Sequence, residues 1–191
     1  MARVGILGGT FNPPHIGHLV CAQEALAQLG LDRVVLMPAG TPPHKAIADD
    51  PGAGARLDLG RLAVDGAPDL GVGDVELGRE GPSYTADTLR LLHAREPGDE
   101  LTFIVGGDMA ESLPTWHEPR DVLRLARLAV AERDEVRAVD LAALLAPLHD
   151  GTRIVFFDMP RLDLSSTDLP HRVAEGRPIP PLVPDAVADE I

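Results

Sequence analysis

The sequence predicts an α/β fold in which a doubly wound parallel sheet carries helices on both faces. An apolar run over residues 3–7 ends at the turn Gly8-Gly9. Apolar residues at helical spacing follow over 16–29, and a second apolar run covers 33–37. Strand, glycine turn, helix and strand in this order form a βαβ unit, whose strands are parallel and whose crossover is right-handed.

Strands and helices continue to alternate after this first unit. Because ligands of such sheets bind beyond the carboxyl ends of the strands, Gly8-Gly9, Asp108 and the residues after Phe157 are expected to share one cleft. Residues 163–191 are predicted to form a small helical subregion of one domain spanning 1–191. The other predicted elements are strands at 71–75, 101–105, 128–131 and 153–157 and helices at 56–65 and 84–95.

Composition and charge restrict the classes of protein to consider. The 191 residues carry a formal net charge of −13 at pH 7, which disfavours nucleic-acid binding. An anionic substrate therefore has to be held by concentrated local donors. The single cysteine, Cys21, excludes a disulfide framework. With no leader-like segment and no run near the roughly 20 apolar residues of a membrane span, a cytoplasmic enzyme without membrane contact is expected.

The segment from Gly8 to His18, GGTFNPPHIGH, is such a concentration of donors. Glycine lets the backbone approach a ligand closely, and the helix that follows offers free N–H groups to a phosphate. His15 and His18 are three residues apart and are expected on one helix face. Two imidazoles beside a phosphate favour displacement at phosphorus, because positioned donors stabilise charge on the phosphate oxygens and on the leaving pyrophosphate.

Other interpretations of this segment are weaker. It lacks the Gly-Lys-Ser/Thr of a P-loop and the glycine spacing of a dinucleotide-binding turn. A His-x-x-His pair suits zinc, but no third ligand is near in the sequence, so no protein metal site is predicted. A pair of surface histidines formed by chance is the purely structural alternative.

The segment resembles the signature of the HxGH nucleotidyltransferases, and within them the bacterial nicotinate-nucleotide adenylyltransferases. The resemblance implies a Rossmann-like fold and the reaction of ATP with nicotinate mononucleotide, which gives deamido-NAD and pyrophosphate with Mg²⁺ in NAD biosynthesis. The sequence leaves homo-oligomer formation open. Further motifs in the same order extend the resemblance over nearly the whole chain: PPHK (42–45), GPSYTADTL (81–89), GGD (106–108), LPTWH (113–117) and SST (165–167).

The resemblance also implies which residues contact ATP. His15 and His18 would donate to the ATP phosphates and stabilise the transition state, and Lys45 would reach the phosphates from the proline-rich loop 38–54. Asp108 would accept a ribose hydroxyl or act with magnesium, and Arg133 would contact the nucleotide. For Lys45 and Arg133 the structural alternative is a solvated side chain. The remaining implied ATP contacts are Gly8, Gly9, Thr10, Phe11, Ser165, Ser166 and Thr167.

A second group of residues is implied at the acceptor. The segment Ser83, Tyr84, Thr85 would present backbone groups to the nicotinate carboxylate, and Trp116 would stack its indole on the pyridine ring. As the only tryptophan, Trp116 has a core position as its alternative. Asn12 and Lys45 complete this group. Nicotinamide mononucleotide or phosphopantetheine is the alternative acceptor.

The chain departs from the family pattern near its C-terminus. The family motif SSTxxR places an arginine on an ATP phosphate, whereas Pro170 stands at that position here, and Pro180-Pro181 departs from the pattern again. Pro170 fits a helix only in its first turn. This departure has three interpretations. His171 or Arg172 replaces the arginine, the affinity for ATP is weakened, or the chain binds nucleotide without turnover. We favour weakened or compensated catalysis, because every other motif is present.

The substitution Pro170→Arg tests this interpretation. A guanidinium at position 170 is expected to raise kcat/KM for ATP, because arginine donates charge-assisted hydrogen bonds to phosphate and proline donates none. Steady-state pyrophosphate release measures the effect. An unchanged kcat/KM would contradict the idea that the proline costs activity.

Overall fold

Six parallel strands form one sheet in the computed structural model, which describes residues 1–43, 49–132, 135–148, 153–160, 162 and 168–191. The strands are β1 (Arg3–Gly9), β2 (Arg33–Pro38), β3 (Leu70–Val72), β4 (Glu100–Gly106), β5 (Arg127–Ala131) and β6 (Ile154–Phe157). Their order across the sheet is β3-β2-β1-β4-β5-β6, and each neighbouring pair is parallel. The order reverses between β1 and β4, which confirms the predicted doubly wound fold and locates its switch point.

Eight helices accompany the sheet in the part of the chain that the structure describes. They are α1 (Ile16–Leu29), α2 (Ala53–Ala63), α3 (Thr85–Arg95), α4 (Gly107–Ser112), α5 (Pro119–Leu125), α6 (Glu135–Leu145), α7 (Asp168–Ala174) and α8 (Asp185–Ala188). Two short 3₁₀ turns, Leu113–Thr115 and Ala146–Leu148, follow α4 and α6.

Two element boundaries differ clearly from the sequence expectation. Helix α2 begins at Ala53 rather than near Arg56, so the proline-rich loop is shorter than predicted. Strand β3 ends at Val72 instead of continuing to Val75. The Gly73 N–H still donates to the Leu36 carbonyl at 2.9 Å, but the chain then turns away and buries Val75 in the core. The sequence therefore predicted a longer β3 because Val75 is buried, although it does not belong to the strand.

Side chains alternate along the strands and pack into a hydrophobic core on each face of the sheet. Val4 and Ile6 of β1 belong to a cluster that also contains buried residues of α3, α5 and α6. Leu7 faces the opposite side and joins Ala22 and Ala25 of α1. Helices therefore cover both faces, as a parallel sheet requires.

A third apolar cluster ties the C-terminal region to α2. Leu169 of α7 and Val187 of α8 pack with Leu59 and Ala63 of α2. Pro170 is the third residue of α7, within the first turn, where a missing N–H disturbs no intrahelical bond. None of the described helices is both long enough and apolar enough to span a membrane.

Gly5 marks the tightest packing in the centre of the sheet. A Cβ at this position would lie 2.8 Å from Leu31 and 2.9 Å from Ile104 and Val34. Gly5→Ala is therefore expected to lower the free energy of unfolding by about 1–3 kcal/mol, because overpacking forces its neighbours to move. Urea denaturation measures the change.

Gly71→Ala in β3 is the matched control, because a Cβ there meets nothing within 4 Å. Its stability is expected to stay within about 0.5 kcal/mol of the parent. Equal destabilisation by both substitutions would show that close packing around Gly5 is not the cause.

Candidate active site

The carboxyl ends of β1 and β4 bring two glycine turns together at the switch point. A Cβ on Gly8 would lie 3.0 Å from the Phe103 ring, and a Cβ on Gly9 would lie 3.0 Å from the Phe11 ring. The backbone therefore packs directly on aromatic rings at this edge. Side chains are excluded here, and backbone groups form the surface that a ligand would meet.

Phe11 forms the base of the first turn. Its side chain is fully buried, its φ is 50°, and its ring meets that of His18 edge-on at 4.8 Å between centroids. Phe11 as a whole is thus buried beneath the turn, and its predicted contact with ATP stays a prediction. Asn12 and Pro13, which follow, line one end of a cleft of about 960 Å³ whose other walls come from α2 and α7.

His15 and His18 lie together at the start of α1, which confirms their predicted common face. Their rings are stacked with centroids 3.7 Å apart. The backbone N–H of His15 donates to Nδ1 of His18 at 3.2 Å. A neutral imidazole that accepts at Nδ1 carries its proton on Nε2, so His18 offers one N–H donor to a ligand.

Both imidazoles are held in the neutral form. Burial lowers the pKa of His15 to about 4. Burial, and then repulsion from His15, lowers the pKa of His18 to about 3. Nδ1 of His15 lies buried with no hydrogen-bond partner in the described chain, close to the position that a Cβ of Gly17 would take. The pair therefore supplies hydrogen-bond donors rather than positive charge at neutral pH.

The start of α1 has fewer free N–H groups than the sequence suggested. The Ile16 N–H donates to the Leu182 carbonyl at 2.9 Å, and the His18 N–H donates to the His15 carbonyl at 2.9 Å. Gly17 is the position in this turn whose N–H has no intrahelical acceptor. The C-terminal segment thus occupies part of the helix terminus that was expected to bind phosphate.

Arg56, in the first turn of α2, is fully buried beneath the two loops that follow β1 and β2. Its guanidinium donates to the carbonyls of Thr10 at 3.0 Å, Ala39 at 2.7 Å and Gly40 at 3.2 Å. Its Nε donates to Asp50 at 3.0 Å. A buried charge is tolerated only when its donors are satisfied, as they are here. No sequence pattern marked this residue, because arginine in a helix is usually exposed.

Ser83 links the predicted acceptor segment to the same loops. Its Oγ accepts from the N–H groups of Gly40 at 2.9 Å and Thr41 at 3.1 Å, and its own N–H donates to the Thr41 carbonyl at 2.8 Å. The Tyr84 N–H also donates within the protein, to the Pro82 carbonyl. Among Ser83, Tyr84 and Thr85, it is therefore the N–H of Thr85 that lies at a helix start and has no intrahelical acceptor.

The segments around Tyr84 and Trp116 meet through a ring that the sequence interpretation did not single out. His117 stacks on Tyr84 with centroids 4.3 Å apart. Trp116 is half-buried against the core, edge-on to Phe103 at 6.1 Å, and its Nε1–H donates to Ser112 at 2.9 Å. The indole makes the core contact that was weighed as the alternative, and its stacking on a pyridine ring stays a prediction.

Asp108 lies beyond β4 with 91% of its side chain exposed. It pairs with Arg137 of α6, which also contacts Glu132 at 3.3 Å and Glu111 at 3.6 Å. Arg137 was missed because nothing in the sequence places α6 against this turn. The guanidinium and carboxylates form a charged rim on the β4 side of the site.

Several predicted contacts lie outside the described residues. These are Lys45, Arg133, Ser165, Ser166 and Thr167. Arg172, considered as a replacement for the missing arginine, donates to the Pro178 carbonyl at 3.2 Å, so it braces the C-terminal turn.

The structure thus places a pair of stacked imidazoles at the switch point of a doubly wound sheet. A model of the cytidylyltransferase-like family matches residues 6–172, and the chain belongs to that family. It is 40% identical to the nicotinate-nucleotide adenylyltransferase of Bacillus subtilis (strain 168), over 98% of this chain and 94% of that protein. The resemblance drawn from the motifs is thereby confirmed.

Solved structures show the same fold at low sequence identity. Plasmodium falciparum nicotinic acid mononucleotide adenylyltransferase complexed with NaAD matches with a TM-score of 0.76 and 13% identity, covering 99% of this chain and 94% of that one. The same protein complexed with APC matches with a TM-score of 0.75. The Rossmann-like prediction is confirmed, while homo-oligomer formation and cytoplasmic location stay predictions.

The depressed pKa values of His15 and His18 have a measurable consequence. In NMR titrations, two of the seven histidines are expected to show no ring titration between pH 8 and 5. Because both pKa values lie below the ordinary value of about 6.5, the stability contributed by these neutral rings is complete above that pH. It is lost as the pH falls towards 4 and 3.

The variants His15→Asn and His18→Asn identify the two signals. A midpoint near pH 6.5 for either ring would mean that it is solvated and carries charge during acid titration, contrary to this geometry.

Proposed function

We propose that this protein transfers the adenylyl group of ATP to nicotinate mononucleotide, giving deamido-NAD and pyrophosphate. The observation that carries the proposal is the stacked neutral pair His15–His18 at the carboxyl end of β1. The name and 40% identity of the Bacillus subtilis relative, over nearly the whole chain, support the same reaction. It serves NAD biosynthesis.

The reaction needs no nucleophilic side chain. A phosphate oxygen of the acceptor attacks the α-phosphorus of ATP, a new P–O bond forms, and the bond to the β-phosphate breaks to release pyrophosphate. Charge grows on the phosphate oxygens, and the Nε2–H of His18 donates to it. A neutral donor suits this step, because it needs no proton from solvent and keeps its hydrogen over the physiological pH range.

Mg²⁺ is expected to enter with the ATP phosphates. Among the described residues no group of three or more His, Cys, Asp and Glu side chains is arranged to hold a metal ion. A single protein carboxylate is enough for Mg²⁺, which keeps several waters and takes one or two carboxylates together with substrate phosphates. Asp108 is an exposed carboxylate that would hold it, and the bound ion would neutralise charge on the phosphates.

Acceptor recognition is assigned to the α3 side of the site. The Thr85 N–H begins α3, where the positive end of the helix favours a carboxylate. Ser83 fixes that helix start to the loop after β2, and Tyr84 packs on His117. A carboxylate-bearing pyridine nucleotide therefore fits better than its amide.

Parallel assays of pyrophosphate release with each acceptor test the proposal. Nicotinate mononucleotide is expected to give the highest kcat/KM, with nicotinamide mononucleotide and phosphopantetheine far lower. Equal rates with the acid and the amide would contradict the assignment of the acceptor. Binding of ATP in calorimetry without turnover would instead indicate a nucleotide-binding relative.

His18→Ala provides the mechanistic control in the same assay. Loss of one positioned donor is expected to lower kcat by roughly 10²-fold or more, the scale of removing an oxyanion donor. Circular dichroism checks that the fold persists. A kcat near that of the parent protein would show that His18 does not stabilise the transition state.

A further inference from the structure

A second cleft lies at the amino edge of the sheet, opposite the candidate active site. Its volume is about 660 Å³, within the range of small-molecule sites. It is lined at the starts of the strands by Arg3 of β1, Glu100 of β4, Arg127 of β5 and Arg153 just before β6. Because β4 has seven residues, this cleft is about 20 Å from the glycine turns at the other edge.

Basic side chains predominate around this cleft. Arg3, Arg124, Arg127 and Arg153 all line it, which is notable in a chain with only 17 lysines and arginines and a net charge of −13. Some of this charge is already neutralised. Arg3 pairs with Asp32 at 2.8 Å, and Arg124 pairs with Asp121 at 3.3 Å.

The acidic residues of the cleft leave the other two arginines without a partner. Asp99 accepts from the Ala2 N–H and from Arg33, both at 2.9 Å, so its charge is already compensated. Glu100 is exposed and is the register partner of Arg3. Neither Arg127 nor Arg153 makes an ion pair or a side-chain hydrogen bond with any residue that the structure describes.

The sheet register places Arg127 and Arg153 side by side. Leu128 pairs with Ile154, and the Leu128 N–H donates to the Arg153 carbonyl at 2.7 Å. Arg127 and Arg153 are therefore lateral neighbours on the same face, and Thr102 is the next residue in that row, since it pairs with Arg127. Like charges opposite each other in a sheet are destabilising, so a bound anion would relieve their repulsion.

A purely structural reason does not account for both arginines. Cations often stabilise the carboxyl ends of helices, and this explains Arg124 in the last turn of α5. Arg127 directly follows the C-cap residue of α5, so the same reason extends to it, but four residues separate Arg153 from the preceding 3₁₀ turn. Arginine forks match the geometry of phosphate oxygens, and two adjacent forks suit a single phosphate group.

We propose that the cleft at the amino edge of the sheet binds a phosphorylated small molecule through Arg127 and Arg153. The volume of the cleft exceeds what a free phosphate ion fills, so the ligand carries an organic part of sugar or nucleotide size. The site is separate from the candidate active site and uses none of its residues. It stands whether or not the proposed adenylyl transfer is correct.

Titration of the ¹⁵N-labelled full-length protein with ribose 5-phosphate tests the site. Saturating chemical-shift changes are expected at the amides of Thr102, Arg127 and Arg153, with inorganic phosphate binding more weakly at the same place. In Arg127→Gln/Arg153→Gln the affinity is expected to fall at least about tenfold, because charge-assisted hydrogen bonds are lost. Without ribose 5-phosphate, the kcat/KM of that variant is expected to equal that of the parent.

Arg61→Gln/Arg177→Gln is the matched control, since it removes the same charge from two exposed positions with 59% and 55% side-chain exposure. An equal loss of affinity in this control would show general electrostatic attraction and overturn the proposal. Shifts confined to the segment Gly8 to His18 would overturn it as well. Inorganic phosphate binding as tightly as ribose 5-phosphate would contradict the assignment to an organic phosphate.

Discussion

The buried guanidinium of Arg56 is the interaction on which the geometry of the candidate active site depends. It holds the carbonyl of Thr10, after β1, against those of Ala39 and Gly40, after β2. Carbonyl groups so close to one another repel unless a donor lies between them, and Arg56 supplies several donors in one rigid plane. Removing it would leave buried acceptors unsatisfied, which is more costly than losing the bonds alone.

The effect of Arg56 extends to the acceptor side through Gly40. The N–H of Gly40 donates to Ser83, whose segment precedes α3. A Cβ on Gly40 would lie 2.6 Å from the Glu76 carbonyl, so glycine permits this close contact. The glycine turn after β1, the loop after β2 and the start of α3 are therefore one connected unit. Such pre-organisation suits a reaction in which two phosphorylated substrates must be aligned.

The histidine pair and the C-terminal segment show how the rest of the site is built. Burial keeps the rings of His15 and His18 neutral, so neither carries a positive charge at neutral pH. The Leu182 carbonyl accepts a hydrogen bond from the Ile16 N–H. The third apolar cluster holds the C-terminal helices against α2. The proline-rich tail thus helps to support the candidate active site. Its departures from the family pattern therefore occur in a segment that packs against α2 and contacts the start of α1.

Much of the fold was predictable because its signals are local. The period of apolar residues gave the strands and helices, and the glycine turn gave the βαβ unit, so the doubly wound sheet followed. The HxGH segment is likewise continuous in sequence, and its two imidazoles face the same way because they are three residues apart. The end of β3 was misjudged because a buried Val75 resembles a strand residue wherever the chain buries it.

The sequence by itself thus determined the six strands, the glycine turn and the identity of the imidazole pair, but not helices α4, α5 and α6. Only the tertiary structure decided that Arg56 is buried, that Leu182 reaches Ile16, and that His117 stacks on Tyr84. These contacts join residues far apart in the chain, and no local period or motif encodes them. The pairing of β5 with β6 likewise decides that two ordinary arginines become neighbours. Register and packing supply that information, because they arise only when the whole sheet has assembled.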